Sequence, residues 1–274
     1  MKIFIDTADL DEIREAFSYG VVDGVTTNPS SIKKAVDKLK EKGKKATVEL
    51  YLKDILRVAK KTSVSIEVIG TTYEEMIEEA QNLYKKFKDF GNVCIKIPVC
   101  PSIKVGEENL FDGIKVIKEL SKKKIPTNAT LVFTPEQALL AAKAGATYVS
   151  PFAGRIDDLL RKRAGIKFER LDYYPEEGLE YKNELLEDNG VVSGIDLIEQ
   201  IVEIFLEYDL KTKIIAASIR NPRQARECAL SGADIATIPY KVIKEMLLHE
   251  KTIEGMNFFL KDVVPEYSVV VRKK

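Results

Sequence analysis

Residues Thr127–Pro151, with the sequence TNATLVFTPEQALLAAKAGATYVSP, have the pattern of a complete strand–helix–strand unit. Its first short apolar run ends near Val132 and is followed by turn residues, which is typical of a buried strand. Thr134 is a candidate N-cap, the proline after it suits the first helical position, and Gly145 is a stop signal. A second strand, Thr147–Pro151, completes the unit. This order predicts parallel strands joined by a right-handed crossover.

The same alternation extends along the whole chain. The predicted strands are Lys2–Asp6, Val22–Thr26, Ser63–Ile69, Val93–Pro98, Thr127–Val132, Thr147–Pro151, Lys213–Ser218 and Ile235–Ile238. Eight such strands suggest closure into an α/β (β/α)8 TIM barrel, and the length of 274 residues is close to the usual size of that fold. We therefore expect one barrel domain over residues 1–274. Periodicity alone leaves an open doubly wound sheet as the alternative.

Helical patterns fill most of the gaps between the predicted strands. The predicted helices are Asp9–Phe17, Ser30–Lys40, Thr47–Lys60, Tyr73–Phe87, Leu110–Leu120, Thr134–Ala144, Ile195–Tyr208, Pro222–Leu230, Lys241–His249 and Thr252–Leu260. The charge-rich stretch Arg161–Asn189 predicts a surface insertion. C-terminal helices are expected over residues 241–263, before a tail at Glu266–Lys274. The apolar side chains of Thr252–Leu260 pack either on the chain's own barrel or on a neighbouring subunit.

Composition narrows the classes of function. Lys+Arg and Asp+Glu each number 43, so no overall charge attracts nucleic acid or an acidic membrane. The first apolar run stops at Asp6, far short of a signal peptide, and no run reaches the roughly 20 apolar residues of a membrane span. We expect a cytoplasmic protein with neither nucleic-acid nor membrane partners.

Cysteine and histidine are scarce. The three cysteines, Cys94, Cys100 and Cys228, have no repeated spacing, which argues against a disulfide framework. The single histidine, His249, argues against a catalytic metal held by histidines. We expect no metal and no cofactor.

Residues at the carboxyl ends of barrel strands are the first candidates for catalysis. Lys96 alternates with Ile95 and Ile97, so it points into the barrel if the isoleucines face the helices. A neutral lysine amine attacks a ketone to form a Schiff base. A lysine that reaches solvent at the strand end is the alternative.

Two carboxylates lie near the ends of other strands. Asp6 either caps the next turn or transfers protons. Glu67, between Ile66 and Val68, faces the opposite way to these apolar neighbours. A buried glutamate needs a partner, and a lysine across the barrel would serve, either in catalysis or in a structural ion pair.

Small polar residues and two arginines complete the candidates. Asn128, Thr130, Ser150 and Ser218 suit sugar hydroxyls and equally suit caps and turns. Arg155 and Arg220 follow two adjacent predicted strands, and Arg220 precedes the helix that starts at Asn221-Pro222. An arginine beside a helix N-terminus suits phosphate, although each one alone also fits a solvated surface charge.

With these residues in place, the sequence resembles the transaldolase family, in particular its short microbial branch. Six ordered blocks carry the resemblance over nearly the whole chain. They are Ile5-Asp6-Thr7-Ala8, Gly24-Val25-Thr26-Thr27-Asn28-Pro29-Ser30, Ile95-Lys96-Ile97-Pro98, Asn128-Ala129-Thr130, Ser150-Pro151-Phe152-Ala153-Gly154-Arg155-Ile156 and Ala217-Ser218-Ile219-Arg220-Asn221. The resemblance implies an enzyme of the pentose phosphate pathway that moves a dihydroxyacetone unit between sugar phosphates. It also implies a homo-oligomer, as in the rings of subunits that short members form.

The resemblance also implies residue roles. Lys96 forms the carbinolamine and then the imine, and Asp6 is the base on the C4 hydroxyl. Glu67 relays protons together with Thr130 and a water. The substrate-binding candidates are Thr26, Asn28, Asn128 and Ser150 for the dihydroxyacetone unit, and Arg155, Ser218 and Arg220 for the distal phosphate.

Two alternatives remain. Related fructose-6-phosphate aldolases release free dihydroxyacetone; they typically have Gln in place of Glu67 and Tyr in place of Phe133, and lack Asn128. All three positions here resemble a transaldolase, whereas Cys100 stands where Thr is common. The other alternative is a non-catalytic barrel that binds sugar phosphates, against which the joint presence of Asp6, Glu67 and Lys96 argues.

Overall fold

The computed structural model describes residues 1–41, 43, 47–60, 62–104 and 108–271. Eight parallel strands close into a barrel, and their order around it is their order along the chain. This closure confirms the predicted barrel and excludes the open sheet. The barrel strands are β1 (Lys2–Asp6), β2 (Gly24–Thr26), β3 (Ser63–Glu67), β4 (Asn92–Pro98), β5 (Thr127–Val132), β6 (Tyr148–Pro151), β9 (Lys213–Ala216) and β10 (Ile235–Ile238).

Helices follow the strands on the outside of the barrel. The helices within the described residues are α1 (Leu10–Ser18), α2 (Pro29–Glu41), α3 (Val48–Ala59), α4 (Tyr73–Phe87), α5 (Asp112–Lys122), α6 (Pro135–Ala144), α7 (Ala153–Arg163), α8 (Gly194–Glu207), α9 (Pro222–Leu230), α10 (Tyr240–Glu245), α11 (Glu250–Lys261) and α12 (Pro265–Val271).

Local signals in the sequence explain several of these boundaries. The Thr134 hydroxyl accepts a hydrogen bond from the backbone N–H of Gln137 at the start of α6, and Gly145 ends that helix with a left-handed φ of 96°. Thr72 and Glu75 form a capping box at the start of α4. Such caps satisfy backbone N–H groups that the first turn leaves unpaired, and each contributes about 1 kcal/mol.

Two apolar layers hold the barrel together. Ile95 and Ile97 are fully buried in the large cluster between strands and helices. Inside the barrel, Phe4 packs with Ile215 and Ile235, and Tyr148 lies against them. Tyr148 and Ile235 are the first residues of their strands, so this apolar group extends to the amino end of the barrel, whereas polar side chains occupy the carboxyl end.

The structure differs from expectation between β6 and β9. Helix α7 begins directly after β6 at Ala153 and includes the first three residues of the predicted insertion. The rest of the insertion carries a two-stranded antiparallel sheet, β7 (Glu180–Tyr181) and β8 (Glu184–Leu185). Strand β9 is shorter than predicted, because Ser218 takes a left-handed φ of 62° that ends extended structure.

The C-terminal helices differ in their packing: α10 buries Val242 and Ile243 against the barrel, whereas α11 does not pack on it. No residue of α11 is buried, so the alternative in which this region packs on its own barrel is wrong. Its exposed apolar side chains include Ile253, Met256, Phe258 and Phe259. Residues 272–274 of the predicted tail lie outside the described part of the chain. Among the helices that are described, none is long and apolar enough to cross a membrane.

Candidate active site

Lys96 lies inside the barrel near the carboxyl end of β4. Strand pairing puts it directly between Glu67 on β3 and Asn128 on β5. Its residue surface is only 7% exposed, so it does not reach out to solvent as the alternative interpretation required. The Nζ lies 3.2 Å from the Glu67 Oε2 and donates a 3.4 Å hydrogen bond to the carbonyl of Thr27. The lysine and the glutamate therefore pair, but between adjacent strands and not across the barrel as expected.

Asp6 ends strand β1, which pairs with β2 and β10, and it lies opposite Thr26 on β2. The Thr26 hydroxyl donates to the Asp6 Oδ1 at 3.1 Å and contacts the hydroxyl of Thr237 at 2.5 Å. Burial raises the pKa of the Asp6 carboxyl, and the Lys96 charge opposes that rise. Asp9 rather than Asp6 caps α1, because its side chain accepts from the Asp11 and Glu12 N–H groups. Asp6 is thus a desolvated carboxyl group electrostatically coupled to the lysine.

Hydroxyl and amide groups continue the polar interior on β5 and β6. The Ser150 hydroxyl donates to the Asn128 Oδ1 at 2.7 Å, and the Asn128 Nδ2 donates to the Ser65 hydroxyl at 3.2 Å. Thr130 is fully buried, and its hydroxyl has no hydrogen-bond partner within the described residues. An unsatisfied buried hydroxyl costs about 1–3 kcal/mol, which a bound ligand or water would recover.

Asn28 has a local structural role. Its Oδ1 accepts a hydrogen bond from the Ser31 N–H at 2.9 Å, while the Ser31 hydroxyl accepts from the Asn28 N–H at 3.1 Å. These bonds hold the start of α2. The side-chain amide nitrogen of Asn28 is therefore the group that can donate to a ligand.

A cationic cavity of about 580 Å³ opens beside β6 and β9 and brings together the two predicted arginines. Arg155, in the first turn of α7, is exposed, whereas Arg220 is only 8% exposed. The Arg220 Nη2 donates to Asp158 at 2.9 Å, but its Nε and Nη1 have no partner within the described residues. Ser218 is not among the residues that line this cavity, although its carbonyl lies close to Arg220.

The backbone at Arg220 is fixed by hydrogen bonds to Gln224 and, through it, to Asp157. Its N–H donates to the Gln224 Oε1 at 2.8 Å, and the Gln224 Nε2 donates to the buried Asp157 at 2.9 Å. Gly154 provides space for the guanidinium, because a Cβ there would lie 2.5 Å from the Arg220 Nε. These contacts keep two nitrogens of a guanidinium, Nε and Nη1, desolvated and unpaired, as an anion site requires.

An aromatic ring connects the amine to the cationic cavity. The Lys96 Nζ lies 5.9 Å from the centroid of the Phe152 ring, and the Arg155 Cζ lies 5.1 Å from the same centroid. Phe133 packs 5.7 Å from that ring and also lines the cavity. The two regions are thus neighbouring parts of one site.

Several residues of this site were not predicted from the sequence. Phe152 lies between the amine and the cavity, and its position directly after a strand was the signal available for it. Arg170 and Lys162 line the cavity too. They belong to a charge-rich stretch of sequence, in which the local pattern does not distinguish a residue that lines a cavity from one on the surface. No group of three or more His, Cys, Asp and Glu residues in the described part of the chain is placed to hold a metal ion.

This geometry supports a defined kind of chemistry. A buried amine touching a carboxylate, with a second desolvated carboxyl group nearby, can form and protonate an imine and remove a hydroxyl proton. Side-chain hydroxyls and amides suit a polyol, and the cationic cavity suits a phosphate at its far end.

Comparisons with known proteins agree with this description. The family model described as transaldolase/fructose-6-phosphate aldolase matches residues 3–268. A probable transaldolase of Caldicellulosiruptor saccharolyticus is 43% identical over 263 residues, which cover 96% of each chain. A probable transaldolase of Thermoplasma acidophilum is 41% identical over 263 residues, covering 96% of this chain and 95% of the relative.

A crystal structure of mandelate oxidase shares the fold alone. It superimposes with a TM-score of 0.50 at 12% identity, over 87% of this chain and 65% of that one, so this chain spans less than two-thirds of its length. The sequence relatives and the family model carry the assignment. The chain belongs to the transaldolase/fructose-6-phosphate aldolase family.

Proposed function

We propose that this chain is a transaldolase that acts through a Schiff base on Lys96. It transfers a dihydroxyacetone unit from sedoheptulose 7-phosphate or fructose 6-phosphate to glyceraldehyde 3-phosphate or erythrose 4-phosphate, in the pentose phosphate pathway. The observation that carries the proposal is the buried Lys96 amine, 3.2 Å from the Glu67 carboxylate.

The reaction begins at the ketone carbon, C2, of the donor. The neutral amine of Lys96 adds to C2 and gives a carbinolamine, which loses water and becomes a protonated imine. Glu67 takes up and returns protons in these steps, through a water that the Thr130 hydroxyl would hold. The hydroxyls and amides of Asn128, Ser150 and Asn28 orient the dihydroxyacetone unit.

Carbon–carbon cleavage then requires a base. Asp6 removes the proton of the C4 hydroxyl, the C3–C4 bond breaks, and its electron pair moves into the imine to give an enamine. The shortened aldose phosphate leaves with C4 as an aldehyde. The enamine carbon then attacks the acceptor aldehyde, Asp6 returns the proton to the new hydroxyl, and hydrolysis of the imine frees Lys96.

The phosphates of donor and acceptor occupy the cationic cavity in turn. Arg220 supplies the two unpaired guanidinium nitrogens, and Arg155 supplies an exposed charge. The left-handed backbone of Ser218 ends the extended chain after β9, two residues before Arg220. Phosphate binding at one end and amine capture at the other fix the length and direction of the sugar.

A second candidate function within the family is aldolysis of fructose 6-phosphate. Glu67, Phe133 and Asn128 favour transfer, because typical aldolases of the related branch differ at all three. An assay without an aldehyde acceptor distinguishes the two, since only the aldolase releases free dihydroxyacetone at a rate close to its turnover.

Covalent trapping tests the proposal. The protein is incubated with fructose 6-phosphate, reduced with borohydride, digested and mapped by mass spectrometry. We expect a reduced three-carbon adduct on the peptide that contains Lys96, no adduct in Lys96→Met, and an unchanged adduct in Lys118→Met, a variant of a surface lysine. Absence of an adduct, or an adduct on another lysine, would refute the Schiff-base assignment. Absence of any adduct would favour the alternative of a non-catalytic barrel that binds sugar phosphates.

We also propose that this chain acts in the cytoplasm as a homo-oligomer. Helix α11 has no buried residue in the single chain, yet it exposes Phe258 and Phe259 with ring centroids 6.3 Å apart. Burial of these rings against another copy would remove apolar surface from water. We expect the double variant Phe258→Ser/Phe259→Ser to sediment as a smaller species than the parent; a parent that sediments as a monomer would contradict the proposal.

A further inference from the structure

The insertion after α7 is held by specific contacts at both sides of Arg170. The buried Arg161 donates from Nη2 to the carbonyls of Asp172 and Tyr173, at 3.2 and 2.5 Å. Its guanidinium also lies 5.1 Å from the ring centroid of Phe168. Arg170 therefore sits in a short stretch whose two flanks are both tied to one buried arginine.

A second set of contacts fixes the same stretch to α9. The Tyr173 hydroxyl donates to the Glu227 Oε1 at 2.9 Å, and the Arg223 guanidinium stacks on the Tyr173 ring at 3.6 Å. Since Glu227 is almost fully buried, this attachment is part of the folded barrel rather than a loose surface contact.

Arg170 is directed to the cavity that contains Arg155 and Arg220. It forms no ion pair with any carboxylate of the described residues, and its side chain is exposed to solvent. Its positive charge acts on Arg220, whose pKa is lowered mainly by burial and further by Arg170 and Arg155. Arg170 thus makes no ion pair within the described chain, although its charge partly offsets the rise that burial causes in the pKa of Asp6, and it is held beside two other arginines.

The charge balance of the cavity calls for a doubly charged anion. Four cationic side chains line it, Arg155, Lys162, Arg170 and Arg220, against the single carboxylate of Asp158. A phosphate monoester carries close to two negative charges at neutral pH. The positive charges, together with the two unpaired guanidinium nitrogens of the buried Arg220, suit the cavity to neutralise such a group.

We propose that Arg170 is a third phosphate-binding arginine, supplied by the insertion, which makes this site selective for phosphorylated over unphosphorylated substrates. A guanidinium pairs with phosphate through two parallel N–H donors, which a lysine cannot reproduce. The identity of the phosphorylated substrate rests on the proposed function, whereas the anion site itself does not.

Kinetics test the selectivity. We expect Arg170→Gln to raise the KM for glyceraldehyde 3-phosphate about 10-fold, the usual size of one lost charge-assisted contact, with little change in kcat. At a pH well above the pKa of Asp6, which burial raises and the Arg170 charge lowers, the kcat/KM with unphosphorylated glyceraldehyde should stay unchanged. The control Lys167→Gln removes a nearby exposed charge that does not line the cavity, and it should leave both substrates unaffected. An equal loss on both substrates, or none on either, would overturn the proposal.

Direct binding separates this inference from the proposed reaction. Titration of inorganic phosphate into the full chain, followed by calorimetry, should give about 10-fold weaker binding for Arg170→Gln than for the parent and for Lys167→Gln. If the parent lacks transaldolase activity yet binds phosphate through Arg170, the reaction assignment fails and the anion site stands. If the parent binds no phosphate, or binds it equally without Arg170, the anion site fails.

Discussion

The Nζ of Lys96 and the Oε2 of Glu67 lie 3.2 Å apart on neighbouring strands, in direct register with each other. Lys96 is buried and Glu67 is largely so, and each would be costly to leave without an opposite charge. The pair has a structural benefit, and it also places a proton acceptor next to the amine that the proposed mechanism uses.

Replacement of Glu67 by Gln separates these two roles. The amide keeps the shape and can still accept a hydrogen bond from Lys96, but it cannot take up a proton at neutral pH. We expect the rate of borohydride trapping with fructose 6-phosphate to fall about 100-fold or more, the usual contribution of a general acid–base group. The exposed control Glu74→Gln should trap at the parental rate; a parental rate in Glu67→Gln would show that the pair is only structural.

Asp6 acts in a later step than Lys96, so its removal should leave an earlier intermediate. In Asp6→Asn we expect turnover to fall by about 10²- to 10⁴-fold, whereas the imine with the intact donor still forms. Mass mapping after borohydride should then show the whole six-carbon sugar phosphate on Lys96 instead of a three-carbon fragment. A three-carbon adduct at the parental rate would contradict the role of Asp6 as the base.

The pH dependence follows from the same carboxyl group. Burial raises the pKa of Asp6 above its ordinary value of 3.8, and the base must be ionised to accept a proton. The kcat/KM should therefore decline as pH falls through this raised pKa, so the midpoint of that decline should lie above 3.8. A plot of kcat/KM against pH for the parent checks the sign, provided that circular dichroism shows the fold intact over the same range.

Much of this site could be predicted because it depends on strand periodicity. Alternation along β4 put Lys96 opposite to Ile95 and Ile97, and the structure has those isoleucines in the outer apolar layer. Helix α7 could not be predicted in the same way. Its face toward the barrel combines the apolar Ile156 and Leu160 with the charged residues Asp157 and Arg161. These charges are buried through long-range hydrogen bonds, and they interrupt the apolar pattern that would mark the helix in the sequence.

The position of Arg170 illustrates the same limit. Arg170 is near the cavity because Arg161 and Tyr173 fix the chain beside it. Glu227, the partner of Tyr173, is distant in sequence, and Arg161 is one of several charged residues in its stretch of sequence. Contacts of this kind appear only once the chain has folded, so a charge-rich stretch gave no local sign of its role.

Gly154 is a site where one methyl group should disturb phosphate binding. An added Cβ would lie 2.4 Å from the Ser218 carbonyl and 2.5 Å from the Arg220 Nε, well inside contact distance. We expect Gly154→Ala to cost about 1–3 kcal/mol of stability through overpacking and to raise the KM for glyceraldehyde 3-phosphate about 10-fold or more as Arg220 is displaced.

A matched variant distinguishes this effect from a general cost of replacing glycine. Gly255 lies in α11, and no atom lies within 4 Å of the position that an added methyl group would take there. Gly255→Ala should therefore leave the KM unchanged and stabilise that helix by about 0.5–1 kcal/mol. Thermal unfolding and initial rates on both variants provide the comparison. An unchanged KM in Gly154→Ala would mean that Arg220 does not bind the phosphate from its present position.

Asp157 makes the stability of the chain depend on pH. Burial raises the pKa of this carboxyl from its ordinary value of 3.8 to about 7, against the favourable hydrogen bond from the Gly194 N–H and the charge of Arg161. Between these two pH values the folded chain keeps a proton that the unfolded chain has released. The contribution of Asp157 to the free energy of unfolding is therefore complete below 3.8 and is lost as pH rises through about 7.

The variant Asp157→Asn should remove this dependence, because an amide has no proton to release. Its melting temperature relative to the parent should rise steadily as pH goes from about 4 to about 7 and then level off, whatever the offset caused by the altered bond to Gln224. The exposed control Asp89→Asn should show no such rise. If the difference in melting temperature between Asp157→Asn and the parent did not change with pH, Asp157 would be ionised in the folded chain and its charge balanced by Arg161. The constant part of the difference reports the altered bond to Gln224, which also accepts from the backbone N–H of Arg220.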